Sequence, residues 1–264
     1  HFDGTGNLIA CDSKRGLISI DPHGELTVLA DADENGRPFL IPNDVDISED
    51  GMIYFSNTSS KYRFSTKNAR KIILECTPDG GLYQYNPRTK SVTTLIDSSY
   101  FGNGVAVSQH GDFVLMVDLT KYRVLKYHLE GPQKGKTELF LDNLPGFPNG
   151  ISRRKDGSFW LGFTTIRNKA LDKIHPSSFK KKIVFGLPRW MQPKQQAYGM
   201  FMHVSSEGKV LKTYFDPSGD YISEVSSIEE KDGYLYLGGD LINYIGKYQL
   251  LSLIHISEPT RLSR

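Results

Sequence analysis

Residues 42–57, PNDVDISEDGMIYFSN, and residues 82–96, LYQYNPRTKSVTTLI, hold the two units from which the rest of the chain is assembled. In the first, the apolar run Met52-Ile53-Tyr54-Phe55 follows Asp50-Gly51, and Asp-Gly favours the positive-φ turn that joins adjacent antiparallel strands. The unit returns as Asp3-Gly4 before Leu8-Ile9-Ala10, Gly111-Asp112 before Phe113 to Met116, Asp156-Gly157 before Phe159-Trp160-Leu161, and Asp232-Gly233 before Tyr234 to Leu237. The second unit is a hairpin of alternating residues, repeated from Leu17, Val124 and Met200, and alternation at period two marks strands with one buried face. Joined, the two units make a four-stranded module of about 45 residues, the size of a propeller blade. A β-sandwich would space its strands steadily but would not repeat the same two hairpins in order. The chain therefore reads as an all-β propeller with about five legible blades, the last breaking off after Tyr244 to Leu250. The WD dipeptide is absent, which removes the commonest repeat class.

Composition agrees with strands and tight turns: 25 Gly, 14 Tyr and 14 Phe stand among 264 residues. A formal net charge of +2 gives no global field toward nucleic acid, and no nucleic-acid partner is expected. No apolar run approaches the roughly 18 residues of a membrane span. Cys11 and Cys76 have no CxxC spacing, so a metal cluster or disulfide framework is excluded. The chain opens at His1 without a signal sequence, and an N-terminal segment carrying any membrane anchor is expected to be missing. Residues 251–264, LSLIHISEPTRLSR, lack the turn-and-strand grammar, resemble the translation of a sequencing-library adapter and are read as a non-native tail, leaving 1–250 as the propeller.

Between Arg167 and Gln196, apolar Leu171, Ile174, Phe179, Ile183, Leu187 and Trp190 are interleaved with Lys169, Lys173, Lys180, Lys181, Lys182 and Arg189. Pro176, Pro188 and Pro193 interrupt any long helix there, which favours an insertion packed on the propeller with a solvated basic face over a lid or membrane-facing segment.

Three blades share one opening: Pro42-Asn43-Asp44-Val45, Gly102-Asn103-Gly104-Val105 and Pro148-Asn149-Gly150-Ile151. Innermost propeller strands begin near the axis, so Asn43, Asn103 and Asn149 are expected to converge there, in reach of a hard cation that takes oxygen ligands. The competing reading is that Asn and Gly only serve the turn before each strand. Other motifs fail. Residues 131–137, GPQKGKT, have one residue too few for a phosphate-binding loop, and neither GxSxG nor HExxH occurs. Asn57-Thr58-Ser59 is a glycosylation sequon, meaningful in a secretory compartment.

At these residues the chain resembles the strictosidine synthase-like family. The matching stretches are PNDVDISEDGMIYFSNTSSKY from Pro42, FGNGVAVSQHGDFVLMVDLTKYRVLKY from Phe101, LPGFPNGISRRKDGSFWLGF from Leu144 and DGYLYLGG from Asp232. The resemblance implies a six-bladed β-propeller related to paraoxonases and gluconolactonases, with its first blade absent here, and an axial calcium serving hydrolysis of small esters or lactones. It places Asn43, Asn103 and Asn149 as calcium ligands and Asp44 at a second, structural calcium. The chain departs from the pattern at Asn149-Gly150, where relatives carry Asp-Asn, and at Asp12, where paraoxonases carry a His. Ser226 stands where strictosidine synthases place a Glu, with Glu224 two residues away. Asp12 and Glu224 are thus the candidate catalytic carboxylates. The alternatives are a non-catalytic, membrane-associated binding scaffold and, last, amine–aldehyde condensation. The resemblance implies a location in the endomembrane system, at the cell surface or outside the cell.

Overall fold

The structure, a computed structural model, describes residues 1–188 and 196–250. The proposed tail at 251–264, and Trp190 and Pro193 of the insertion, lie outside the described residues. Five antiparallel sheets form the blades of a β-propeller. The first contains β1 (Leu8–Asp12), β2 (Gly16–Ile20) and β3 (Leu26–Ala30). The second contains β4 (Pro42–Ile47), β5 (Ile53–Asn57), β6 (Gly80–Asn86) and β7 (Ser91–Ser99). The third contains β8 (Gly102–Val107), β9 (Phe113–Asp118), β10 (Arg123–His128) and β11 (Thr137–Leu141). The fourth contains β12 (Gly146–Arg153), β13 (Phe159–Ile166), β14 (Gly199–Val204) and β15 (Val210–Asp216). The fifth contains β16 (Ser227–Lys231), β17 (Tyr234–Gly238) and β18 (Gly246–Gln249).

Each Asp-Gly or Gly-Asp turn connects a first strand to a second one, with Gly51, Gly111, Gly157 and Gly233 all at positive φ. The same turn precedes β1, so β1 corresponds to the second strand of the other blades, and Phe2, bridged to Leu8, occupies the first-strand position. First strands β4, β8, β12 and β16 pack beside one another in sequence order. Strict alternation shows in β17 of the fifth blade, where every second residue is buried. The second strands β5 and β9 are buried at every residue, because both faces of a mid-blade strand are covered by neighbouring blades.

Hydrophobic clusters fill the interfaces between blades. Phe39, Phe55 and Tyr83 pack with Ile9 and Leu17; Tyr54 and Leu82 with Val105 and Met116; Phe113 with Phe140 and Phe159; Trp160 and Phe201 with Val225 and Leu235. Two insertions interrupt the pattern, and both leave the ends of second strands, at the end of the propeller where first strands begin. Helix α1 (Thr66–Glu75) follows β5 and is capped by Ser65, whose side chain accepts from the Asn68 N–H. After β13 come α2 (Lys169–Ile174), capped by Asn168, and α3 (Ser178–Gly186), capped by Ser177, with Pro176 between them. Leu171 packs against the cluster around Phe147 and Phe163, in line with a packed insertion. Helix α3 buries none of its residues, and Phe179, Ile183 and Phe185 stand exposed.

Candidate functional site

The first strands β4, β8 and β12 are each irregular at the same place. Pairing with the second strand shifts between Pro42 and Val45, between Gly102 and Val105, and between Pro148 and Ile151. The two residues skipped in each case include the asparagine, and a bulge of this kind re-aims side chains at the mouth of a barrel or propeller. Phe101, just before the second bulge, has a φ of 121°, in the region that favours glycine, a sign that the surrounding fold holds this turn in place. Asn43, Asn103 and Asn149 consequently line one axial cavity of about 720 Å³.

Their amides are available. Asn43 donates Nδ2 to Thr58 Oγ1 at 3.0 Å, and no hydrogen bond among the described residues uses its Oδ1. Asn103 is buried, and no hydrogen bond among the described residues uses its side chain. The same wall carries Asp44, Asp46, Glu229 and Asp240, against Arg153 and His1 as its basic side chains.

Asp44 and Asp46 point the same way along β4, as period two requires, and reach across to β8. Asp44 Oδ1 accepts from the Val45 N–H and Oδ2 from the Val105 N–H; Asp46 does the same with Ile47 and Val107, each bond at 2.8 or 2.9 Å. The two carboxylates thus staple the second blade to the third. Burial pushes the Asp44 carboxyl up to about 6, against the pull of the Val105 and Val45 N–H groups. Burial likewise raises Asp46 and Glu229, the latter also because Glu230 and Asp46 lie near.

At the equivalent position in the next two junctions around the axis, glycine stands where β4 carries Asp44. A Cβ on Gly104 would stand 2.4 Å from the Asn149 carbonyl oxygen, and one on Gly150 2.2 Å from that of Ser226. Glycine at these positions lets successive first strands close up, and it puts Ser226 at the fourth turn of the series that begins with Asn43.

Neutral amides, of which only that of Asn103 is buried, together with carboxylates and a hydroxyl make an all-oxygen donor set, which fits a hard cation of the calcium type. Among the described residues no group of three His, Cys, Asp or Glu side chains is placed to hold a metal ion, so an ion here would rest chiefly on the amide oxygens. The donor set fits calcium with modest charge.

The remaining sequence candidates lie elsewhere. Asp12 closes the β1–β2 turn, accepting from the Lys14 and Arg15 N–H groups and pairing with the Arg15 guanidinium at 3.3 Å. Glu224 is buried and accepts from the Leu241 N–H. Neither lines the axial cavity. Asn57, the expected glycan acceptor, is fully buried in the folded protein, accepting from the Ile41 N–H and donating to Ser60 Oγ. Asp46, Glu229, Asp240 and Arg153 are missing from the sequence reading. Only the alternation Asp44-Val45-Asp46 in β4 offered a signal, placing a second carboxylate on the Asp44 face.

The strictosidine synthase family model matches residues 43–132, which contain the first two asparagine bulges and the carboxylate staple. A protein named strictosidine synthase-like 10 from Arabidopsis thaliana is 32% identical over 256 residues, covering 93% of this chain and 67% of that one. The chain belongs to the strictosidine synthase-like family. Within that family, the adipocyte plasma membrane-associated protein of Bos taurus is 32% identical over 255 residues, 93% of this chain and 61% of the relative. The chain thus spans about three fifths of the bovine protein. Among solved structures, a gluconolactonase from Xanthomonas campestris superposes with a TM-score of 0.61 at 15% identity, covering 90% of this chain and 67% of that one. A calcium-binding regucalcin from Agrobacterium tumefaciens superposes with a TM-score of 0.52 at 17% identity, covering 81% and 57%. At these identities the likeness shows that this family member shares the propeller fold.

Proposed function

We propose that this propeller is a calcium-dependent hydrolase of small esters, of lactonase or arylesterase type. The observation that carries the reading is the alignment of three bulges that brings Asn43, Asn103 and Asn149 onto one acidic axial cavity. That solved propellers of the same shape are named a gluconolactonase and a calcium-binding protein supports it.

The three amide oxygens would hold the ion, with Asp44 one residue beyond Asn43. When bound, calcium supplies electrophilic polarisation of an ester carbonyl and charge stabilisation of the oxyanion. The carboxylate that takes a proton from the attacking water is assigned to Asp240. It lines the cavity two residues beyond Gly238, whose carbonyl accepts from the Ser226 N–H at 2.8 Å. It is exposed, and no hydrogen bond or ion pair among the described residues engages it. Asp12 and Glu224 already satisfy backbone N–H groups and serve their loops.

The test follows hydrolysis of phenyl acetate and of a δ-lactone with added calcium and then with a chelator. Turnover that the chelator abolishes and calcium restores is expected, together with its loss in Asn103→Ala and a fall of about 10²-fold in kcat in Asp240→Asn. No turnover in a protein whose Tm still rises with calcium would make the ion structural and favour a binding scaffold. Association with a membrane or the secretory pathway is proposed from the name of the bovine relative. No helix among the described residues is long and apolar enough to cross a membrane.

A further inference from the structure

A second cavity, of about 530 Å³, lies under the helical insertions, bounded by α1, α2, α3 and the ends of β12 and β13. Its size falls within the range of small-molecule sites. Its body is apolar: Ile73 and Leu74 from α1, Phe147 from β12, Leu171 and Ile174 from α2 and Val184 from α3. Among the described residues its charged lining side chains are basic, Arg70, Arg167 and Lys169, with no Asp or Glu.

Those charges are not equivalent. Arg167 is neutralised by Asp172 at 2.8 Å, donates to Asn143 and lies over the Tyr122 ring at 4.4 Å. Arg70 and Lys169 have no carboxylate partner among the described residues, and both are exposed. An apolar chamber with two uncompensated cations at its lining attracts a ligand with a single negative head and a hydrophobic body. A neutral hydrocarbon would leave both charges unused, and a cationic amphiphile would be repelled.

The chamber is held together by contacts between the insertions. His175 Nε2 meets the Ile73 carbonyl oxygen at 2.9 Å, and Lys181 Nζ donates to the Glu75 carbonyl oxygen. It is therefore a built space between elements that fix one another.

We propose that this chamber binds a medium-chain monocarboxylate, its carboxylate on Arg70 and Lys169 and its chain against Leu74, Leu171 and Ile174. The proposal does not rest on hydrolysis at the axial cavity, because none of its residues lines that cavity.

The test is calorimetric titration of the full chain with decanoate, decanol and decyltrimethylammonium, each below its micellar concentration. Saturable one-to-one binding of decanoate, at least tenfold tighter than either comparison ligand, is expected. The double charge reversal Arg70→Glu and Lys169→Glu should weaken decanoate binding by more than tenfold. Ala170→Trp, which fills the chamber from an exposed position on α2, should remove it, while both variants keep the parent Tm and circular dichroism. Equal binding of decanoate and decyltrimethylammonium, decanoate affinity unchanged in the double variant, or no decanoate binding at all would each overturn the assignment. Loss of calcium-dependent hydrolysis leaves this outcome untouched, so failure of the two readings can be told apart.

Discussion

Asp46 illustrates how a residue of the cavity wall also holds the fold. Its carboxylate accepts the Val107 N–H of the neighbouring blade, and both groups are buried. Asp46→Ala leaves that N–H without a partner at a cost of about 1–3 kcal/mol, whereas Asp46→Asn keeps one acceptor and loses less. Thermal unfolding should show a Tm drop of roughly 2–4 °C per kcal/mol for a chain of this size, with alanine the lower of the two. Equal Tm values for Asp46→Ala and the parent would show the staple to be idle. Gly150→Ala makes the complementary case. The new methyl would meet the Ser226 carbonyl at 2.2 Å, a backbone atom that cannot swing away, so about 1–3 kcal/mol of overpacking is expected in the same measurement.

At the scale of elements, contacts between blades and between insertions decide the response to pH and mutation. Arg154, at the end of β12, pairs with Glu230 of β16 at 2.6 Å, and Trp160 of β13 donates Nε1 to the same carboxylate at 2.7 Å. Glu230→Ala removes the shared partner of both donors and should cost about 2 kcal/mol, less than a fully buried pair because Arg154 keeps Asp156 at 2.6 Å and is partly screened by solvent. Urea unfolding should show this as a lower midpoint at unchanged slope. Two histidines respond to acid. His175 joins α2 to α1 through the Ile73 carbonyl, and burial lowers its pKa below 6.5; burial, followed by the Arg154 charge, lowers that of His203. A histidine whose folded pKa lies below its unfolded value is held neutral by the fold. Below pH 6.5 the unfolded chain takes up the proton first, so stability is full above that pH and falls on acidification toward the folded pKa values. The pH dependence of Tm below 6.5 should flatten in the His175→Gln, His203→Gln double variant. A slope identical to the parent's would assign acid sensitivity to other groups.

For the whole molecule, the ring of first strands makes calcium and stability one question. Each asparagine comes from a different blade, so an ion bound by all three ties three sheets together at the axis. Few carboxylates contribute to the donor set, and a dissociation constant of about 10⁻⁴–10⁻³ M is expected, in the range of weak extracellular calcium modules. At a hundredfold excess over that constant, linkage adds about 2.7 kcal/mol. A Tm rise of roughly 5–10 °C with calcium, absent with magnesium and abolished in Asn103→Ala, is the corresponding thermal signature. A shift that survives Asn103→Ala would place the ion elsewhere.

The repetition of turn and apolar strand determined the blades, because a sheet that must bury itself against identical neighbours repeats the same pattern of turns and apolar residues. The three asparagines were legible for the same reason: recurrence at one place in the repeat implies recurrence around the axis. Phe113 to Asp118 shows what the pattern could not say, since a mid-blade strand covered on both faces loses the alternation that a sequence displays. Asp240 and Glu229 escaped because neither belongs to the recurring opening; only the stacking of successive blades about the axis brings the β17 exit and the β16 strand to the cavity that the asparagines line. The hydrogen bonds of Asn57 to Ile41 and Ser60 were likewise not legible, because the sequon shows nothing of the loops that the fold brings against it. The chamber under the helices is the plainest case. Arg70 and Lys169 lie 99 residues apart in two separate insertions, and the fold alone places both in the lining of one cavity.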